Sequence, residues 1–187
     1  IALARYGQNF RGVKPDLAAK AGAVGMIIYS DPADDGFGKG EVYPDGPWRS
    51  ADAIQRGSGL RLWDYPGDPL TRGAPSPKGA PRIAMEDATT FAPIPTTPIS
   101  YGQARGLIAT LTGPRAPKEW QGGLDVPYRL GGADGTKVAL DLDTRGRAGA
   151  GGGVGRKCAA ALRDNDPMAA DLLDEFARWV DAHRTPD

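Results

Sequence analysis

Among 187 residues there is one cysteine and one histidine, the charges cancel, and no apolar run reaches membrane length. Each absence removes a class of function. A lone cysteine, Cys158, closes no internal disulfide, so cysteine usage leaves the redox compartment open. The lone histidine, His183, stands in the charged tail, where a Ser-His-Asp or Cys-His arrangement would hang on a poorly anchored end; it reads as a surface residue. Catalytic zinc usually takes three protein ligands, and one terminal histidine argues against such a site. With 23 basic and 23 acidic residues, nothing in the net charge draws the chain to nucleic acid or to an anionic membrane. No stretch of about 18 apolar residues offers a span, and no charged-then-apolar leader is visible. If a longer parent has either, it lies outside this sequence.

What is abundant is glycine (27) and proline (17), which favours short strands and many turns over a helical bundle. The length suits one domain of ordinary size with an appended segment. IALARY (1–6) reads as a strand ended by Gly7 and already under way at residue 1, which leads us to expect a fragment of something longer. From Pro15, the positions Leu17, Ala18, Ala21 and Val24 recur at helical spacing, with Gly22 or Gly25 as the stop. GMIIYSD (25–31) is a continuous apolar run of strand length. Together these predict a β-α-β unit, hence a parallel pair joined by a right-handed crossover.

Residues 32–98 carry turn after turn (DPADDG, YPDGPW, QRGSG, YPGDPLTRG, GAPSPKGAP), an excursion long enough to need packing or function of its own. Tyr43, Trp48, Trp63 and Tyr65 are interleaved with the turns as a local core. In PISYGQARGLIATLTG, Ser100 and Gln103 have capping-box spacing, and Ala104, Leu107, Ile108 and Leu111 form an apolar stripe ending at Gly113. KVALDLDT (137–144) alternates like a half-buried strand and is expected in the same sheet. The Gly-rich 145–157 reads as a linker, and 158–187 as an appended segment with an amphipathic helix opened by Asp166-Pro167. Its apolar face, with Phe176 and Trp179, favours a homodimer if its own domain does not cover it. The fold expected is α/β or α+β: a small twisted mixed sheet, short helices and a long loop-rich excursion.

Three features bear on chemistry. GAGGGVGRK satisfies neither phosphate-loop spacing, so a linker is the better reading. The acids Asp31, Asp34 and Asp35 lack calcium-loop spacing and read as a solvated turn. Arg11 follows Phe10 in the polar stretch between strand and helix, where the carboxyl end of a strand in an open α/β sheet faces a ligand crevice. A guanidinium there suits a carboxylate, held through two parallel hydrogen bonds; ordinary solvation or pairing with a neighbouring acid is the competing reading.

ARYGQNFRGVK, AGAVGMIIYSDPAD, YPDG, QRG, GDPLT, PIPTTPIS and WQGGLDVPYRLGG stand in one order over residues 1–144. That order resembles the protease-associated (PA) domain of the glutamate carboxypeptidase II and transferrin receptor family. The resemblance implies a domain inserted in a zinc metallopeptidase, which would explain a chain that opens mid-strand. It implies that this chain alone holds no catalytic residue or cofactor, and that the parent carries two zinc ions and a structural calcium. By the same resemblance Arg11 binds a substrate carboxylate. Ser58 stands where the family has an asparagine for the same ligand, and Thr71 with the Ala74 carbonyl supplies part of the calcium cage. The function implied is an accessory, substrate-gating wall of a carboxypeptidase cleft, with the peptidase domain and a peptide bearing a free C-terminal carboxylate as partners. The alternative is a non-catalytic interaction domain, as in receptor ectodomains. The implied compartment is extracytoplasmic.

Overall fold

The computed structural model of the chain describes residues 1–57, 59–132, 137–143 and 157–161. Strands β1 (Ala2–Arg5), β2 (Met26–Tyr29) and β3 (Thr96–Ile99) form a parallel sheet in the order β1-β2-β3, with Ala4, Ile28 and Pro98 in register across it. The continuous apolar run is the central strand, and all four of its residues are buried. Helix α1 (Val13–Lys20) joins β1 to β2. It ends at Gly22, whose φ of +82° lets Ala23 N–H reach the Ala18 carbonyl (2.9 Å) and Gly22 N–H the Ala19 carbonyl (3.0 Å). This paired closure is why a glycine stops the helix there.

Helix α2 is the single turn Pro32–Asp35, and α3 (Tyr101–Ala109) follows β3 directly. The capping box is formed: Ser100 Oγ accepts from Gln103 N–H at 3.2 Å, and Gln103 Oε1 accepts from Ser100 N–H at 3.1 Å. Ala104 and Ile108 of the stripe join Tyr29, Tyr101, Ala116 and Tyr128 in the main core, with Leu3 and Ile99 packed against it. The helix stops at Ala109, short of Gly113. Thr110 Oγ1 bonds back to the Leu107 carbonyl at 2.7 Å, and the amides of Thr112 and Gly113 are taken by the carbonyls of Gly132 and Gly131. Pairing with a distant segment thus replaces the last helical turn.

Strand β4 (Ala139–Asp143) lies where alternation placed it, but not in the expected sheet. It pairs antiparallel with β5 (Lys157–Ala161) as a separate two-stranded ladder. Alternation fixes which face of a strand is buried and leaves the partner open. β5 also occupies residues at the junction of the expected linker and helical segment; the helix from Pro167, His183 and most of the linker lie outside the described residues.

The excursion between α2 and β3 is tied to the helices and the sheet, with Tyr101 hydroxyl donating to the Arg49 carbonyl and Arg61 paired with Asp16, but it does not close around its aromatics. Tyr65 is buried, yet Tyr43 and Trp63 are 73% and 49% exposed, and Trp48 lies half-buried against Gly40. Of the four aromatics expected as a local core, Tyr65 alone is buried; Leu70, outside that set, is buried as well.

Candidate functional site

The loop after β1 is tightly wound. Gly7 takes φ +111° and Gln8 φ +63°, a left-handed value rare for a residue with a side chain, while Asn9 N–H closes back on the Gly7 carbonyl at 2.8 Å. Lys14 Nζ also donates to that carbonyl at 3.1 Å, and burial with Arg5 nearby lowers the Lys14 pKa. The turn delivers Phe10 and Arg11 to the start of α1. The Arg11 guanidinium lies 5.1 Å from the Phe10 ring centre, within cation–π range.

Two arginine-glycine pairs interlock here. A methyl group on Gly57 would fall 2.0 Å from Arg11 Nε and 2.3 Å from its Cζ, so the absent side chain is the seat of the guanidinium. One on Gly12 would fall 2.2 Å from the Leu60 carbonyl oxygen, so the second glycine lets the loop at residue 60 approach α1. The QRG loop is in turn tied to the sheet. Tyr6 hydroxyl donates to the Gln55 carbonyl at 3.0 Å and Ser30 Oγ to Gln55 Oε1 at 2.9 Å. Burial raises the Tyr6 pKa, against the pull of Arg11 and Arg49.

Arg11 forms part of the wall of an open cavity of about 350 Å³ between the sheet and the excursion. Ile28, Leu60, Phe91, Ala92 and Pro98 supply apolar walls, and Tyr6, Gly57, Gly59 and Thr96 the remainder. Ser58 lies outside the described residues.

The other anticipated site residues are elsewhere. Thr71 is buried, its Oγ1 is 3.3 Å from both the Ala74 carbonyl oxygen and Asp68 Oδ2, and Ala74 N–H bonds the Thr71 carbonyl. Asp68 is itself held by Ser76 Oγ at 2.6 Å and Arg82 at 3.1 Å, contacts that keep its pKa low. Thr71 Oγ1 and the Ala74 carbonyl can give two neutral oxygens to a calcium ion, which needs six to eight; they fit a share of a cage and not a whole one. For zinc the residues do not fit: among those described, no three His, Cys, Asp or Glu side chains come together as a metal site.

Asp31, read from sequence as part of a solvated turn, is fully buried. Its Oδ1 accepts from Ala33 N–H (2.9 Å) and Gly123 N–H (2.8 Å), and its Oδ2 from the Tyr128 hydroxyl. Burial raises the pKa values of Tyr128 and Tyr29, with Asp31 adding to both shifts. The glycine pair of WQGG explains how the carboxylate is reached: a methyl on Gly122 would fall 2.0 Å from Asp31 Oδ2, and one on Gly123 2.7 Å from Ala33 N. The signal available in the sequence was that pair of glycines, whose partner is 92 residues away.

Residues 1–62 match the model of the PA domain family. Aminopeptidase NAALADL1 of Mus musculus is 43% identical over 135 residues, which cover 70% of this chain and 18% of that protein. The glutamate carboxypeptidase 2 homolog of Caenorhabditis elegans is 36% identical over 153 residues, 76% of this chain and 20% of that protein. The chain carries a PA domain of the glutamate carboxypeptidase and transferrin receptor family. Transferrin receptor protein 2 of Rattus norvegicus, 37% identical over 142 residues (75% of this chain, 17% of that protein), belongs to the same set of relatives. The PA domain here is an accessory, protease-associated unit of α/β type. The chain spans about a fifth of the length of the curated relatives it matches. Within this PA domain, the FRG and QRG segments are the two halves of one interlock around Arg11.

Proposed function

We propose that this PA domain forms one wall of the substrate cleft of a longer zinc metallopeptidase and that Arg11 contacts a peptide carboxylate there. The observation that carries the reading is the seating of the Arg11 guanidinium against Gly57 and Phe10 at the wall of an open cavity. A planar, always-charged fork held in one orientation suits bidentate capture of a carboxylate, and little rotamer freedom remains to be lost on binding. Ser58, Thr71 and Ala74 complete the proposal: the first as a second substrate contact, the other two as donors of part of a calcium cage shared with the peptidase domain. Zinc would be bound by that domain, the partner of this one, and would activate the attacking water there.

In the longer parent, Arg11→Ala is expected to lower kcat/KM by about thirtyfold or more, the equivalent of about 2 kcal/mol lost when a charged hydrogen bond loses one partner. An unchanged kcat/KM would reduce the domain to a spacer. Similarity to a transferrin receptor supports a second reading, a non-catalytic binding domain. A parent without two histidines and three carboxylates as zinc ligands would favour that reading.

A further inference from the structure

Resting on the carboxylate reading of Arg11, we propose that the cavity beside it takes an apolar side chain, so that the ligand class is a peptide or acylated amino acid ending in an apolar, not an acidic, residue. The cavity has about 350 Å³, the small end of the range for ligand sites (about 300–1,000 Å³) and of a size for one residue rather than an extended peptide. Its broad walls are Ile28, Leu60, Phe91, Ala92 and Pro98. The two hydroxyls among them have partners: Tyr6 donates to the Gln55 carbonyl and Thr96 Oγ1 to the Ile94 carbonyl. Arg11 is the one cation among the described lining residues. A ligand with a single carboxylate can place it on that guanidinium and its aliphatic part on the walls. A second carboxylate, as on a C-terminal glutamate, would leave water for an apolar surface without a second cation among those residues, a costly transfer.

The test is titration of the ¹⁵N-labelled chain with N-acetylleucine, N-acetylglutamate and N-acetylleucinamide, followed at the amides of Gly57, Gly59 and Ala92, and repeated with Arg11→Ala. N-acetylleucine is expected to shift these amides and to bind about tenfold or more tighter than N-acetylglutamate, the ratio set by taking a leucine-sized side chain out of water. Arg11→Ala should abolish the shifts with N-acetylleucine, and N-acetylleucinamide should give none with the unaltered chain. N-acetylglutamate binding equally well or better, with loss in Arg11→Ala, would overturn the apolar preference and leave the carboxylate contact standing. N-acetylleucinamide binding as well as the free acid would overturn the carboxylate contact and leave an apolar cavity. No shift with any of the three would overturn both.

Discussion

Two charged side chains, Asp31 and Arg11, sit near the carboxyl ends of adjacent parallel strands, and both are seated by glycines that belong to other segments. Gly122 and Gly123 make room at Asp31; Gly57 makes room at Arg11, with Gly12 drawing the neighbouring loop close. The outcomes are opposite. Asp31 is fully buried, and its oxygens are taken up by two backbone amides and a tyrosine hydroxyl of the fold. Arg11 lies at the wall of a cavity open to solvent. A buried charge surrounded by donors from its own chain holds distant segments together; Arg11 is held in place where the wall of the fold meets an open space. The same device of a missing side chain thus ties distant segments together at one strand end and fixes a guanidinium at a cavity wall at the next, where we propose that it meets a ligand.

The largest expected effect comes from breaking the closed side of this comparison. Asp31→Ala strands the Tyr128 hydroxyl and the amides of Ala33 and Gly123 in a buried setting, and should cost about 3 kcal/mol or more. A urea midpoint equal to that of the parent chain would refute the role given to Asp31. Gly122→Ala pushes a methyl onto Asp31 Oδ2 in the same core, with an expected loss of about 1–3 kcal/mol in thermal melts. Ser100→Ala, which removes one half of the capping box on α3, should cost about 1 kcal/mol.

Alkaline titration sharpens the comparison further. Tyr29 and Tyr128 keep their protons in the folded core to higher pH than in the unfolded chain. Above about pH 10, the ordinary tyrosine value, the unfolded state therefore binds fewer protons, and stability falls as pH rises. Tyr128→Phe should flatten that slope when urea midpoints are compared between pH 9 and pH 11, values that bracket the ordinary tyrosine pKa of about 10. The smallest effect is expected at Asp125→Ala. Its bidentate pair with Arg105 (2.6 and 2.8 Å) is exposed on both sides, and the melting temperature should not move measurably.

How much of this was legible depends on whether the cause is local. The β-α-β unit, the Gly22 stop and the Ser100–Gln103 box were readable because each rests on residues within a few positions of one another. Those local patterns carried the α/β class, and the resemblance carried the PA domain. The end of α3 was misplaced because the amides of Thr112 and Gly113 are claimed by Gly131 and Gly132. β4 was assigned the wrong sheet because alternation is silent about partners. The burial of Asp31 was invisible because Asp-Pro reads as a turn, while its donor Tyr128 is 97 residues away. At the candidate site, Arg11 was singled out by its position after β1 together with the resemblance. Gly57 as its seat and the apolar walls from residues 91–98 depend on packing that no short window contains.

Gly57→Ala tests the central claim most directly, because it leaves Arg11 in the sequence and denies it its seat. The new methyl would meet Nε, Cζ and Cδ of Arg11 at 2.0–2.6 Å, the far part of a flexible side chain that can swing away without unfolding the domain. The account predicts a nearly unchanged melting temperature together with loss of N-acetylleucine binding to the labelled chain. Binding retained at full strength would contradict it, since the guanidinium would then be shown to need no fixed position at the cavity wall.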